Sequence, residues 1–103
     1  MAPSTQIVSV GRQLHVYSDC FSGPRPATVV ADFGTTTHAN VNVQLDGCKD
    51  RALLARFRDR PEGNTLGSIL VFEPLSPGEQ PDMSMAGHYP GLGQFVAVWP
   101  PRH

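Results

Sequence analysis

The chain has 103 residues, enough for one domain around one hydrophobic core. Forty per cent of the residues are hydrophobic and 17% are charged, a globular balance that excludes a wholly disordered chain. The formal net charge of −1 supplies no global attraction to nucleic acid or to an anionic membrane.

Ten prolines and ten glycines predict many turns and few long helices. The opening MAPSTQIVSVGRQ carries neither the basic nor the apolar region of a secretory leader. No apolar run approaches the roughly 18 residues of a membrane helix. The expectation is a cytoplasmic protein, with no membrane partner and with Cys20 and Cys48 reduced. Two cysteines without CxxC spacing do not suit a zinc site.

Residues 1–6 read as a disordered N-terminal tail, and 7–103 as a single β domain. Residues 7–17 alternate: Val8, Val10, Leu14 and Val16 share one face, with a bulge expected near Gly11. After a turn cluster at 19–26, residues 27–33 form a second strand. Residues 39–45 alternate most clearly, with Val41, Val43 and Leu45 opposite Asn40, Asn42 and Gln44, and Asp46-Gly47 turns the chain.

Residues 52–58 fit a strand or a short helix; the Pro61–Asn64 turn favours a strand that enters a hairpin. Residues 66–72 and 94–99 complete six short strands, and Pro100-Pro101 stops the last. The predicted fold class is mainly β, a small antiparallel barrel or sandwich of five to six strands. The Pro/Gly-rich stretch 73–93 reads as one long loop.

No catalytic constellation survives inspection. A phrase near the N-terminus uses the strand vocabulary of α/β-hydrolases, but GxSxG is absent. Cys20 beside His15 or His38 reads as a structural thiol rather than a nucleophile. The four histidines are scattered without HxH or HxxxH spacing, so neither a metal nor another cofactor is expected.

Three binding features remain. Arg56, Arg58 and Arg60 recur with period two; an extended backbone would align three forks for phosphate or carboxylate, although a solvated edge strand is the commoner meaning of such a row. Asn40, Asn42 and Gln44 offer a row of amides that can read a base or sugar, or simply a wet sheet face. The long loop carries Met83, Met85, His88 and Tyr89, ahead of Phe95 and Trp99, a mixture suited to a binding lid or an oligomer contact.

The ordered phrases GRQLHVYSD (11–19), GPRPATVV (23–30), ANVNVQLDG (39–47), ARFRD (55–59), PGEQPD (77–82) and FVAVWPPR (95–102) resemble a group of small, largely uncharacterised accessory proteins of tailed phages and prophages. The resemblance covers nearly the whole chain and rests on the order of several weak motifs. It implies a small β-barrel acting in the infected bacterial cell or in the virion.

In that setting the leading expectation is a non-enzymatic anti-defence protein that sequesters a small nucleotide immune signal, a cyclic nucleotide or an ADP-ribose derivative. Arg25, Arg56, Arg58 and Arg60 would meet its phosphates. Asn42, Gln44 or His88 would read base or ribose, and Tyr89 or Trp99 would stack on it. A chain this small encloses little volume, so a pocket at a homo-oligomer interface is expected. The alternatives are a virion decoration or protein-interaction module and, against the near-neutral charge, a single-stranded nucleic-acid binder.

Overall fold

The computed structural model describes residues 1–45 and 50–101. The Asp46-Gly47 turn, Cys48 and His103 lie outside the described residues. The order is β1 (Gln13–Ser18), β2 (Arg25–Asp32), β3 (His38–Val43), α1 (Arg51–Arg58), β4 (Thr65–Phe72), a single 3-10 turn (Met83–Met85), β5 (Gly87–Tyr89) and β6 (Gly93–Val98). The protein is mainly β, with a closed mixed five-stranded barrel plus one extra strand.

β1, β2, β3 and β4 pair successively in antiparallel fashion. β6 closes the barrel, lying antiparallel to β1 and parallel to β4 through Val71 opposite Ala97 and Phe72 opposite Val98. The parallel pair explains the long Pro/Gly-rich segment. Parallel neighbours cannot be joined by a tight hairpin, so residues 73–92 must carry the chain back along the barrel. That segment holds the sixth strand: β5 pairs with the first half of β6, Gly87 opposite Phe95 and Tyr89 opposite Gly93.

Alternation places Leu14, Val16, Ala27, Val29, Val41 and Val43 inside the barrel, all essentially without solvent exposure. β6 departs from alternation, because Phe95, Val96, Ala97 and Val98 are all buried. Its outer face, Val96 and Val98 with Phe72, is covered by Leu75, Met83 and Ala86 of the crossover and by Met1. The crossover is therefore a strap packed on the barrel wall. Each such fully buried side chain contributes on the order of 2 kcal/mol.

Residues 51–58 form a helix, not the strand that the turn after them suggested. Asp50 caps it, its carboxylate accepting from the Leu53 N–H at 3.0 Å. Leu53 and Phe57, four residues apart, share the face turned to the core. Period-two arginines outside and i, i+4 apolar residues inside are both present in ALLARFR, and the buried pair decides. Phe57 meets Phe95 edge-on at 5.9 Å between ring centroids, and Phe21 and Tyr89 also meet Phe95, at 5.6 and 5.7 Å.

Residues 1–6, expected as a disordered tail, instead hold defined contacts. Ser4 is buried, its N–H donates to the Val71 carbonyl at 3.1 Å, and the Glu73 N–H donates to the Ala2 carbonyl at 2.8 Å. β4 carries one irregularity. Ser68 adopts φ +51 where the β3–β4 register shifts, and its N–H donates to Asn40 Oδ1 at 2.8 Å.

Candidate functional site

Among the described residues, Arg56 and Arg60 line one hollow, and Arg25, Asn42, Gln44, His88, Tyr89 and Trp99 do not line it with them. Arg25, at the start of β2, donates from Nε to the Gln44 carbonyl at 3.1 Å and so clasps two strands. Asn42 projects into solvent between Thr28 and Thr65 on the neighbouring strands, and the Gln44 side chain is also exposed. His88 is exposed on β5, opposite Gln94.

The arginine row is dispersed because its backbone is helical. Positions two apart on a helix face in different directions, so Arg56 and Arg58 do not form one fork. Arg60, beyond the helix, is spent on structure. Its guanidinium donates to the Gly63 and Thr65 carbonyls at 3.1 and 3.0 Å, lies 3.6 Å from Glu62, and sits over the Phe57 ring. Arg56 and Arg60 do share a hollow of about 240 Å³ with Pro90, Gly91 and Leu92, but Asp59 also lines it. The hollow is small, and Asp59 together with Glu62 beside Arg60 offsets the charge of its two arginines.

Tyr89 is half-buried, and its hydroxyl donates to the Gly67 carbonyl at 2.6 Å, pinning the β4 bulge. Burial pushes its phenol above the ordinary range, opposed by the nearby Arg60 charge. Trp99 is only 3% exposed, so it presents no open face to a base. Its indole Nε1–H donates to Ser4 Oγ at 2.8 Å, and Ser4 Oγ in turn donates to the Gln6 carbonyl at 3.1 Å.

What covers Trp99 is Arg12. The guanidinium carbon lies 4.6 Å from the ring centroid, a cation–π contact. Arg12 enters β1 just after Gly11, whose φ of +91 turns the chain there. Arg12 is exposed, and among the described residues its side chain makes no ion pair or hydrogen bond. Gln6, Gln13 and Pro100 join Arg12 and Trp99 around a groove of about 710 Å³ that contains no carboxylate among the described residues. Gln13 is oriented by donating from Nε2 to Thr28 Oγ1 at 2.8 Å.

The residues missed in the sequence are thus Arg12, Gln6 and Gln13. Arg12 and Gln13 lie within the GRQLH phrase, whereas Gln6 carried no signal. Trp99 is brought to Arg12 by the long-range β1–β6 pairing, and Gln6 by the Ser4 anchor.

Cys20 Sγ contacts the Leu92 carbonyl at 3.4 Å and Asp19 Oδ1 at 3.7 Å, and His38 Nδ1 is shared with Thr37 Oγ1. Among the described residues, no group of three or more His, Cys, Asp or Glu is placed to hold a metal ion. Among the described residues no helix is long and apolar enough to cross a membrane. No family model, curated protein or solved structure matches the chain.

Proposed function

We propose that the protein is a non-enzymatic binding module that holds a small anionic ligand of the nucleotide class in the groove of Arg12, Gln6, Gln13 and Trp99. The observation that carries this reading is the Arg12–Trp99 stack. A guanidinium laid on an indole is held in one orientation while its N–H edge stays available, and a planar fork suits phosphate or carboxylate. Trp99 is then the platform for the arginine, not a stacking surface for a base.

The groove volume lies within the roughly 300–1,000 Å³ of small-molecule sites. The amides of Gln6 and Gln13 supply donors and acceptors for a polar ligand body. The phage resemblance supplies the setting, in which the ligand is an immune-signal nucleotide and the activity is sequestration. An open groove encloses a ligand better when a second copy provides the opposite wall, which supports a homo-oligomer.

A thermal-shift panel of cyclic dinucleotides and ADP-ribose derivatives tests this. Ligand at about a hundred times its Kd stabilises the folded state by about 2.7 kcal/mol, a rise in Tm of about 10 °C or more for a domain of this size. No shift with any of them overturns the reading.

A second reading, a protein-interaction module such as a virion component, is favoured by one observation. Ile7, Val10, Val30 and Phe33 are large apolar side chains left exposed. They lie on two segments that run side by side, joined by Val8 N–H to the Thr35 carbonyl and Gly11 N–H to the Val29 carbonyl. Mass spectrometry of purified virions separates the two: a decoration protein is present in many copies and a sequestering protein is absent.

A further inference from the structure

A second cleft, of about 510 Å³, lies between the β1–β2 connection and the strap and shares no lining residue with the Arg12 groove. Its walls include Tyr17 and Phe21 from one side and Pro81 and Met83 from the other. Asp19 and Glu79 also line it, and no Lys, Arg or His does among the described residues. We propose that this cleft binds an organic cation, an alkylammonium whose methylene stem lies along the aromatic and thioether walls while its head meets Asp19.

The two carboxylates are not equivalent. Asp19 Oδ1 accepts only from the Ser18 hydroxyl at 3.3 Å and the Cys20 thiol at 3.7 Å, so its charge has no cationic partner among the described residues. Glu79 already holds one ammonium: the Met1 amino group lies 3.0 Å from Oε2, with the Met1 side chain against the same apolar cluster as Tyr17 and Met83. The rim of the cleft thus carries, within the chain itself, the pairing inferred for Asp19: an ammonium head on a carboxylate and an apolar stem on the strap. Aromatic faces and polarisable sulfur add to the attraction for a cation. Acidic lining likewise rejects the anions for which the Arg12 groove is suited, so the two sites take opposite charges.

The test is a titration of isotopically labelled full-length protein with 1,5-diaminopentane, followed by backbone NMR, against 1,5-pentanediol, which has the same stem without charge. The diamine is expected to move amides at 17–24 and 75–83 and the diol to leave them in place. Asp19→Asn should weaken diamine binding about fivefold, the scale of one exposed ion pair. Glu79→Gln, read alongside, keeps the test valid if Asp19→Asn lowers Tm. Equal shifts with the diol, no shifts with the diamine, or unchanged affinity in both variants would overturn the proposal. Arg12→Ala leaves this binding intact, so failure here and failure of the anion site are read separately.

Discussion

Ser4 and Trp99, 95 positions apart, are joined by a buried hydrogen bond of 2.8 Å from the indole Nε1–H to Oγ. This bond ties the first residues of the chain to the end of β6 and holds one wall of the Arg12 groove. Ser4→Ala leaves a buried indole N–H without an acceptor, which costs about 1–3 kcal/mol. The expected result is a Tm lowered by about 5 °C or more, measured by thermal melting. Deletion of residues 1–6 should cost more, because the Val71 and Glu73 backbone bonds go with it. A deletion that leaves Tm unchanged would mean these residues are a mere tail.

Phe95 is the centre of an aromatic cluster, with Phe21, Phe57 and Tyr89 edge-on around it. Phe95→Ala is expected to cost about 3–5 kcal/mol in denaturant unfolding, a large part of the marginal stability of a small domain. Tyr89→Phe keeps the ring and loses only the hydroxyl bond to the Gly67 carbonyl, for about 1 kcal/mol. Equal losses in the two variants would contradict this division between packing and hydrogen bonding.

β1 and β3 were legible because alternation survives in them: Val41 and Val43 against Asn40 and Asn42 mark β3 by themselves. The helix was not, because the ALLARFR arginines repeat every two residues while Leu53 and Phe57 repeat every four, and only the core chooses between them. β5 has three residues and no alternation to read. The candidate site was illegible for a different reason. Arg12 and Trp99 are 87 positions apart, and the β1–β6 register that joins them leaves no local trace.

Ser68 sits in the left-handed region at φ +51, where a non-glycine residue bears a penalty of roughly 1–2 kcal/mol. Ser68→Gly is expected to leave stability unchanged or raise it slightly, and Ser68→Val to lower it by about 1–2 kcal/mol in chemical denaturation. Asn40→Ala should also destabilise, since its side chain accepts the Ser68 N–H. A valine variant as stable as the parent would contradict the bulge.

The strap has an acid-sensitive component. Glu79 titrates below its ordinary range because of the Ser76 N–H and then the Met1 amino group, and Asp82 because of the Ser84 hydroxyl and then its N–H. Lowered folded values mean that folding is favoured while these groups are ionised. Their contribution is full above the ordinary carboxylate range and is lost as pH falls through the lowered values. NMR relaxation at 76–86 should therefore show greater mobility in acid, well below the ordinary carboxylate range, than at neutrality. Equal mobility at both would contradict the linkage.

In the proposed function Arg12, oriented by Trp99, captures an anion. Calorimetric titration of a cyclic dinucleotide into the parent, Arg12→Lys and Arg12→Ala proteins tests it most directly. Loss of a charge-assisted contact predicts affinity lowered about tenfold to a hundredfold in Arg12→Ala, with partial retention in Arg12→Lys, which keeps the charge but not the fork. Binding that is equally tight in all three proteins would contradict it.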